Sequence, residues 1–420
     1  MKRIRTVLAI FILCVLLTSA AGDQITVCES DCNFTQIQSA IISSRDGDVI
    51  LIESGDYKEN LFVDKKVKIV GDGAVLQPSV QYAPTVQITT GNVVLEGLKV
   101  TDSSAAIKAL GAEDISVFNC TISRSDYGVS ALGSKSINLV GNSFEYNRIH
   151  IMLQNIDGAS IRQNKISGGS TGIMLTNSKS NNATGNTFRE MNVGVALENS
   201  AKNELRNNDF KQCDAGVYSV LSNNNRFSKN EVKNTSVFLD LKLSANNKIA
   251  QNAVENCTYS RTVNSNYNFY NLENMNLSGK EFELSIIDPS IPQKYTNLSR
   301  GVDLTLNSPN STDECQVLLQ ASIPVKKVLG SNLSSVGLYK LEDLEMISNK
   351  TFHEDIIEIN ASVNQSGKYI LLAQKEDDAG NSEEGSYSNS GTTGTTEGII
   401  MFAVVIASIV VMLYILSRGR

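Results

Sequence analysis

The sequence predicts an all-β solenoid, followed by a small β-sandwich-like domain and a C-terminal transmembrane helix. Three observations lead to this fold class. The same residue types recur every 22 positions through the middle of the chain, and apolar positions there alternate singly with polar ones, as in strands. No stretch of the repeat shows helical periodicity.

Composition sets the first limits. The chain has 420 residues, a formal charge of −7 and no Trp. This length fits two or three domains. A negative charge argues against a general nucleic-acid binder, which needs a basic face, so no nucleic-acid partner is expected.

Residues 1–22 have the features of a secretory signal peptide. A basic start at Lys2 and Arg3 precedes an apolar run over 7–17, and small residues occupy 19–21. This order is typical of a cleaved export signal. We therefore expect the mature chain to begin outside the cytoplasm.

The other end of the chain predicts a membrane anchor. Residues 398–416 are uncharged and long enough to cross a bilayer, and Arg418 and Arg420 follow in the tail 417–420. Residues 376–397 are Gly, Ser, Thr and acidic, which favours a disordered stalk. The expected protein is a single-pass cell-surface protein with an extracellular ectodomain.

The repeat is defined by columns of equivalent residues. One Asn recurs at intervals of 22, with an apolar residue two places after it and, except at Ala183, a large apolar residue three places before it. The members of this column are Asn142, Asn164, Asn186, Asn208, Asn230 and Asn252. Each unit of this length buries its apolar side by stacking on its neighbours.

We interpret the unit as one coil of a parallel β-helix that spans 23–270 with its N-terminal cap. Leucine-rich repeats have a similar length, but they carry a dense Leu consensus and a helical segment. Stacked Asn amides can hydrogen-bond along the axis as a structural ladder. The Gly column is expected to supply positive φ where the chain turns; its members are Gly128, Gly172, Gly194 and Gly216.

The opening of the chain carries a family resemblance. The segments Phe34–Ile41, Gly55–Asn60 and Val67–Gly71 resemble the start of right-handed parallel β-helix proteins of the pectin-lyase-like class. Together with the Asn coils, they are similar to the NosD-like group, also described as carbohydrate-binding and sugar-hydrolase domains and common on archaeal cell surfaces. The resemblance implies the fold over about residues 25–260 and leaves the function open.

No catalytic residue is predicted. The Asp-bearing segments of pectin methylesterases and polygalacturonases have no match, and Asp126 and Asp214 share a column but lie four coils apart, about 19 Å. Asp126 is one coil from Arg148, which predicts a surface ion pair. A polysaccharide hydrolase, lyase or esterase with another carboxylate arrangement stays open as an alternative.

A binding strip is predicted instead. Met152, Met174 and Tyr218 fall in one outward column and would form an apolar patch with a polar rim. Because NosD-like proteins are associated with copper, His150 and the two methionines are weighed as ligands. Met more often serves as packing, so no metal site and no cofactor are predicted.

Six cysteines outside the signal peptide suggest disulfides. Cys28 and Cys32 are close enough for a local loop, and Cys257 with Cys315 would join the solenoid to the domain at 271–375. In that domain, sequons are crowded and mark candidate glycosylation sites. They are Asn276, Asn297, Asn310, Asn332, Asn349, Asn360 and Asn364.

Three functions remain open at this point. The first is a glycosylated surface protein whose β-helix binds carbohydrate or a cell-envelope protein without catalysis. The second is the polysaccharide-active enzyme, which a carboxylate cluster on one face would favour. The third is a structural envelope spacer, which a uniformly polar surface would favour.

Overall fold

The computed structural model describes residues 22–265, 267–272, 274–279, 282–306 and 317–376. The predicted signal peptide up to residue 21, the membrane helix and the tail lie outside these residues. Asn310, Cys315 and all but the first residue of the predicted stalk lie outside them as well. Within the described ranges, no helix is long and apolar enough to cross a membrane. The predicted anchor therefore stays a prediction.

The N-terminal part forms a helical cap and the first coils. Helix α1 buries Ile37, Ala40 and Ile41 against the first strands. The Glu59 carboxylate accepts hydrogen bonds from the first backbone N–H groups of this helix, at Ile37 (2.9 Å) and Gln38 (3.0 Å). The elements are β1 (Gln24–Val27), α1 (Ile37–Ser43), β2 (Val49–Ile52), β3 (Gly55–Lys58), β4 (Leu61–Val63), β5 (Lys68–Gly71), β6 (Ala74–Gln77), β7 (Val86–Ile88), β8 (Val93–Glu96) and β9 (Lys99–Thr101).

The central part stacks coil on coil in parallel register, in an all-β solenoid of about 11 coils. Ser143 pairs with Lys165, for example, and Met152 with Met174, 22 residues apart as predicted. The strands are β10 (Ala105–Leu110), β11 (Glu113–Phe118), β12 (Thr121–Ser123), β13 (Tyr127–Leu132), β14 (Lys135–Val140), β15 (Ser143–Glu145), β16 (Ile149–Gln154), β17 (Ser160–Arg162), β18 (Lys165–Thr176), β19 (Asn182–Thr184), β20 (Thr187–Glu198), β21 (Glu204–Arg206), β22 (Asp209–Val220), β23 (Arg226–Ser228), β24 (Glu231–Lys233), β25 (Val237–Lys242), β26 (Lys248–Ala250), β27 (Ala253–Glu255) and β28 (Thr258–Val263).

Each central coil turns at residues in the left-handed region. The coil that contains β11 to β13 has positive φ at Asp114 (56°), Asn119 (50°), Arg124 (50°) and Gly133 (61°). The equivalent positions of later coils repeat this conformation, often with Asn or Gly. These residue types tolerate the left-handed region, which explains why the turns are rich in them.

The column that begins at Gly128 has a different cause from the one predicted. None of its glycines has a positive φ. A Cβ on Gly172 would lie 2.4 Å from the carbonyl oxygen of Gly194, and one on Gly194 would lie 2.7 Å from that of Gly216. Glycine is therefore needed because neighbouring coils approach closely there, and the expectation of a positive φ was wrong.

Buried Asn side chains connect the coils along the axis. The Asn186 backbone N–H and Nδ2 both donate to Asn208 Oδ1, at 2.9 and 3.1 Å, and Nδ2 also donates to the Ile161 carbonyl at 2.9 Å. The same pattern runs from Asn142 to Asn252. A second ladder runs through Asn181, Asn203, Asn225, Asn247 and Asn268. These bonds satisfy polar groups that are cut off from water.

After β29, which still pairs in parallel with β26, the strand pairing changes to antiparallel. Strand β30 pairs with β29, and β31 pairs with β28, so both solenoid sheets continue into the C-terminal strands. The remaining strands are β29 (Asn268–Leu272), β30 (Met275–Gly279), β31 (Phe282–Ile287), β32 (Tyr295–Asn297), β33 (Gly301–Leu306), β34 (Val317–Pro324), β35 (Gly337–Lys340), β36 (Glu345–Met346), β37 (Asn349–Phe352), β38 (Ile356–Val363) and β39 (Gly367–Gln374). Two 3₁₀ turns lie at Val325–Val328 and Leu333–Ser335.

The apolar core passes without a break from the solenoid into these strands. Phe238, Tyr259, Tyr270 and Phe282 are buried and contact one another in sequence, with ring centroids 5.8, 6.3 and 5.5 Å apart. The antiparallel strands therefore cover the apolar end of the last coil. The separate sandwich-like domain stays a prediction.

The cysteines follow the prediction in part. Cys28 and Cys32 form the expected disulfide. Cys257 is a free, half-buried thiol whose Sγ donates to the Thr258 carbonyl at 3.0 Å, contrary to the predicted bridge to Cys315. Its side chain packs against the apolar core at the end of the solenoid, which explains its burial without a partner cysteine.

The glycosylation candidates differ in access. Asn276 and Asn360 are half-buried and accept hydrogen bonds from the Asn271 and Gln320 amides. The exposed candidates are Asn297, Asn332, Asn349 and Asn364. Modification of these four stays a prediction.

Candidate functional site

A groove of about 700 Å³ crosses several coils on one side of the solenoid. We call it the turn groove. It lies where the second strand of a coil turns into the third, as between β15 and β16. Its lining residues are Gln81, Tyr82, Asp102, Ser103, Ser104, Arg124, Ser125, Asp126, Tyr146, Asn147, Arg148, Gly169 and Ser170.

The groove is built on a column of turn residues with one backbone conformation. Asp102, Arg124, Tyr146 and Gly168 have φ angles of 59°, 50°, 56° and 63°. A bulky residue in this region is unusual, and the ring of Tyr146 is 71% exposed. The same conformation recurs at the equivalent turns of later coils, such as Glu190 and Asn234, so it is the side chains that distinguish this part of the column.

Ion pairs between neighbouring coils form part of the groove wall. Arg124 binds Asp102 through two hydrogen bonds, from Nε (2.9 Å) and Nη2 (3.1 Å). These bonds lower the pKa of Asp102. Arg148 Nε lies 3.6 Å from Asp126 Oδ1, so the predicted ion pair is formed, but more loosely.

Aromatic rings give the groove an apolar component. Tyr82 is 88% exposed at one side of the groove, and Tyr146 projects from the turn column. The Arg148 guanidinium lies 4.7 Å from the ring centroid of Tyr127. Exposed rings beside paired charges suit a ligand that has both apolar and hydrogen-bonding surfaces.

A buried histidine supports this surface from inside. His150 is fully buried; its Nε2 donates to the Gly168 carbonyl (2.9 Å), and its Nδ1 accepts from the Asn147 amide (3.0 Å). Burial lowers the pKa of His150 to about 4, although the bond to Gly168 opposes this shift. His150 therefore stays neutral and fixes the backbone on which Tyr146 rests.

The predicted strip lies next to the groove. Strand β16 begins directly after Arg148 and carries Met152 four residues beyond it. Strand pairing places Met152, Met174, Ala196 and Tyr218 in one column. The three predicted residues are half-buried. The Lys242 ammonium lies 5.0 Å from the ring centroid of Tyr218 and covers part of this end of the strip.

Sequence reasoning missed the central members of the groove. Tyr82 lies in an irregular segment before β7, where no repeat register predicts its neighbours. Tyr146 carried a usable signal, because it is a large aromatic residue in a column that later holds Asn234 and Asn256. An aromatic residue at a turn position that accommodates Asn is a sign of an exposed ring.

A family profile described as "periplasmic copper-binding protein (NosD)" matches residues 58–235 and, in an overlapping match, 134–274. Together the matches span just over half of the chain. This chain belongs to the NosD family. No curated protein sequence matches it.

Solved structures similar to this NosD-family chain include three enzymes. An alginate lyase from Paenibacillus sp. str. FPU-7 is 14% identical, with a TM-score of 0.46 over 58% of this chain and 99% of its own. The polygalacturonase from Erwinia carotovora is 11% identical, with a TM-score of 0.46 over 58% and 95%. The mannuronan C-5 epimerase AlgE6 A-module from Azotobacter vinelandii is 12% identical, with a TM-score of 0.44 over 55% and 80%. At such values, the activities of those enzymes say nothing about this chain.

The copper named in the NosD description is a poor match to the described residues. Cu(I) prefers thioether, thiolate and imidazole ligands, but both ring nitrogens of His150 are engaged in hydrogen bonds. Among the residues that the structure describes, one group of His, Cys or carboxylate side chains is close enough to hold a metal: Cys28, Cys32 and Glu53. Two of these three form the disulfide. The Met152–Met174 pair alone offers two thioethers and no third ligand, so these residues do not fit a copper site.

Proposed function

We propose that the β-helix binds an extended carbohydrate chain in the turn groove without cleaving it. The observation that carries this proposal is the pair of exposed rings, Tyr82 and Tyr146, in a groove with Ser hydroxyls and Arg–Asp pairs. Aromatic rings stack on the apolar faces of sugar rings, while hydroxyl and charged groups bind the sugar hydroxyls. The Met152–Met174–Tyr218 strip extends the same contact surface.

A binding role is favoured over hydrolysis by the state of the carboxylates. A glycosidase needs a protonated general acid, but Arg124 lowers the pKa of Asp102. Asp126 has Arg148 as its partner. Paired carboxylates of this kind order a binding surface better than they donate protons.

The sequence predicts a setting that suits this function. A signal peptide, glycosylated surface, stalk and membrane helix would hold the β-helix outside the cell, in reach of envelope polysaccharide. A glycosylated cell-envelope protein would present the same kind of carbohydrate ligand to the groove. A purely structural spacer is the competing role, and it requires no ligand in the groove.

The test is a glycan-array screen of the purified full-length protein, with reducing-end release measured on every hit. We expect saturable binding without release of new ends. Release of new ends would establish the enzyme instead, and absence of any glycan binding would leave the spacer or a protein partner.

Two matched variants locate the site. Tyr146→Asn removes the groove ring and keeps a residue suited to positive φ, and we expect affinity to fall about tenfold or more from the lost apolar contact. Tyr267→Asn is the control, because Tyr267 has the same φ (57° against 56°) and the same exposure (72% against 71%) outside the groove lining. Equal loss in both variants would place binding elsewhere.

A further inference from the structure

The turn groove repeats with the period of the coils. Three successive coils each contribute three consecutive lining residues at the same turn: Asp102–Ser104, Arg124–Asp126 and Tyr146–Arg148. The strands that follow these triplets pair in a constant register, β10 with β13 and β13 with β16. The groove therefore presents one set of polar groups per coil, at steps of about 4.8 Å along a straight line.

The two exposed rings of the groove stand near the two ends of this series. Tyr82 lies just before β7, and Tyr146 lies just before β16. Strand β7 pairs with β10, β10 with β13 and β13 with β16, so three coil steps separate the two turns. The backbone positions that carry the rings are therefore about 14 Å apart along the axis. This distance is too long for both rings to stack on one sugar.

The ring of Tyr146 is held in place by the next coil. A Cβ on Gly168 would lie 2.7 Å from Tyr146 Cδ1 and 2.9 Å from Cε1, so the ring lies directly against the Gly168 backbone. The Gly168 carbonyl in turn accepts the hydrogen bond from His150 Nε2. A ring that is fixed on one side and exposed on the other can bind a sugar with little further loss of side-chain freedom.

The charged groups of the groove cancel one another. Arg124 is bound to Asp102 through two hydrogen bonds, and Arg148 faces Asp126. The described lining residues carry no other charge. A chain of uronic acids would bring its carboxylates close to the two aspartates without a free cation to offset the repulsion. The charge pattern therefore favours a neutral chain.

Given the proposed carbohydrate binding, on which this inference rests, we infer that the groove binds a neutral, β-1,4-linked glycan that runs parallel to the solenoid axis with one sugar unit per coil. In β-1,4-linked glucose chains both linkages of a unit are equatorial, so the chain is a nearly straight ribbon whose units advance by about one coil spacing. Chains of α-1,4-linked glucose curl away from a straight line. The first and fourth units stack on Tyr82 and Tyr146, and the two units between them hydrogen-bond to the polar triplets.

Cello-oligosaccharides of two to six units are the probes, with chito-oligosaccharides as a second neutral β-1,4-linked series. In calorimetric titrations of the full-length protein, we expect affinity to rise about tenfold or more from two units to four, because one chain then reaches both rings. Each further unit should add much less. Equal affinity for two and four units would overturn the arrangement.

The two rings also give a matched pair of variants. With the four-unit chain, Tyr82→Ala and Tyr146→Asn should each lower the affinity about tenfold. With the two-unit chain, each should lower it by about twofold at most, since the other ring still offers a site. Tyr267→Asn should leave both affinities unchanged. If both variants lose as much affinity for the two-unit chain as for the four-unit chain, the rings hold one sugar between them and the one-unit-per-coil arrangement is wrong.

Two further outcomes test the ligand class. Tighter binding of tetragalacturonate than of cellotetraose would overturn the preference for a neutral chain. Binding of other glycans on the array, without binding of either β-1,4-linked series, would overturn the linkage and leave the proposed function standing. Absence of all glycan binding would overturn the proposed function and this ligand class together.

Discussion

The two halves of the solenoid have the same backbone conformation at their turns and differ in the side chains that they expose there. In the N-terminal half, the turn column carries Asp102, Arg124 and Tyr146. In the C-terminal half, its last members are Asn234 and Asn256, with φ of 52° and 51°. The turn has the same conformation in both halves, but only the first half forms the groove.

The difference shows which positions determine the fold. The inward apolar columns are shared by both halves and hold the coils together, and the Asn ladders that start at Asn142 and Asn181 add to them in the later coils. The turn side chain points outward and is free to vary. A functional site can therefore be placed on a few coils without altering the stack.

The largest effect on stability is expected at a buried residue of the Asn ladder that connects neighbouring coils. Asn186, fully buried, makes hydrogen bonds to the rungs on both sides and to Ile161. In Asn186→Leu, several buried donors and acceptors lose their partners, and we expect the free energy of unfolding to fall by about 3–6 kcal/mol. Chemical denaturation followed by circular dichroism measures this loss.

Asn182→Leu serves as the control in the same coil, since Asn182 is exposed. Its effect should stay within about 0.5 kcal/mol. A loss in Asn186→Leu no larger than that of the control would show that the ladder contributes little to the stability of either half.

The second prediction concerns the buried support that distinguishes the groove half. At the position of His150, the later coils have Gly172, Gly194, Gly216 and Phe238. The pKa of His150 is lowered to about 4 by burial, against about 6.5 in the unfolded chain. Between these values the unfolded state binds a proton that the folded state does not, so stability falls as the pH drops from about 6.5 to about 4, by ~3 kcal/mol in all.

His150→Phe removes this titration with a residue that the same column accepts at 238. As the pH is lowered through this range, the free energy of unfolding should fall less steeply in the variant. The difference in slope should correspond to at most one fewer proton taken up on unfolding. Parallel pH profiles for the two proteins would mean that His150 is not held neutral by burial.

Particular residues show how much of the structure can be predicted from the sequence. The 22-residue spacing predicts the coils because every inward position meets its equivalent one coil away. The glycines at 172 and 194 were assigned to the right column for the wrong reason, since spacing does not reveal that a carbonyl lies where the Cβ would be. The local Cys28–Cys32 disulfide is predictable from separation alone, whereas the Cys257–Cys315 bridge was a guess between distant segments.

The turn groove could not be predicted from the sequence for a similar reason. The Asp126–Arg148 pair follows from the register, since both residues belong to the repeat. Tyr82 comes from a segment outside the repeat and reaches the groove through tertiary packing. Residues outside the period carry no register, so their neighbours cannot be read from the sequence.

The smallest expected effect tests strain in the half without the groove. Leu221 and Leu243 have φ of 52° and 51° and are about half exposed, where earlier coils have Asn177 and Asn199. A left-handed conformation is costly for Leu and less so for Asn, so Leu221→Asn should raise the free energy of unfolding by about 1 kcal/mol. Leu132→Asn is the control, because Leu132 is exposed in the regular strand β13 and gains no relief. Thermal and chemical unfolding measure the stability of Leu221→Asn and Leu243→Asn. If neither variant is more stable than the parent, the two leucines make a surface contact that offsets the strain, and the C-terminal half then has a surface contact that its turn residues do not reveal.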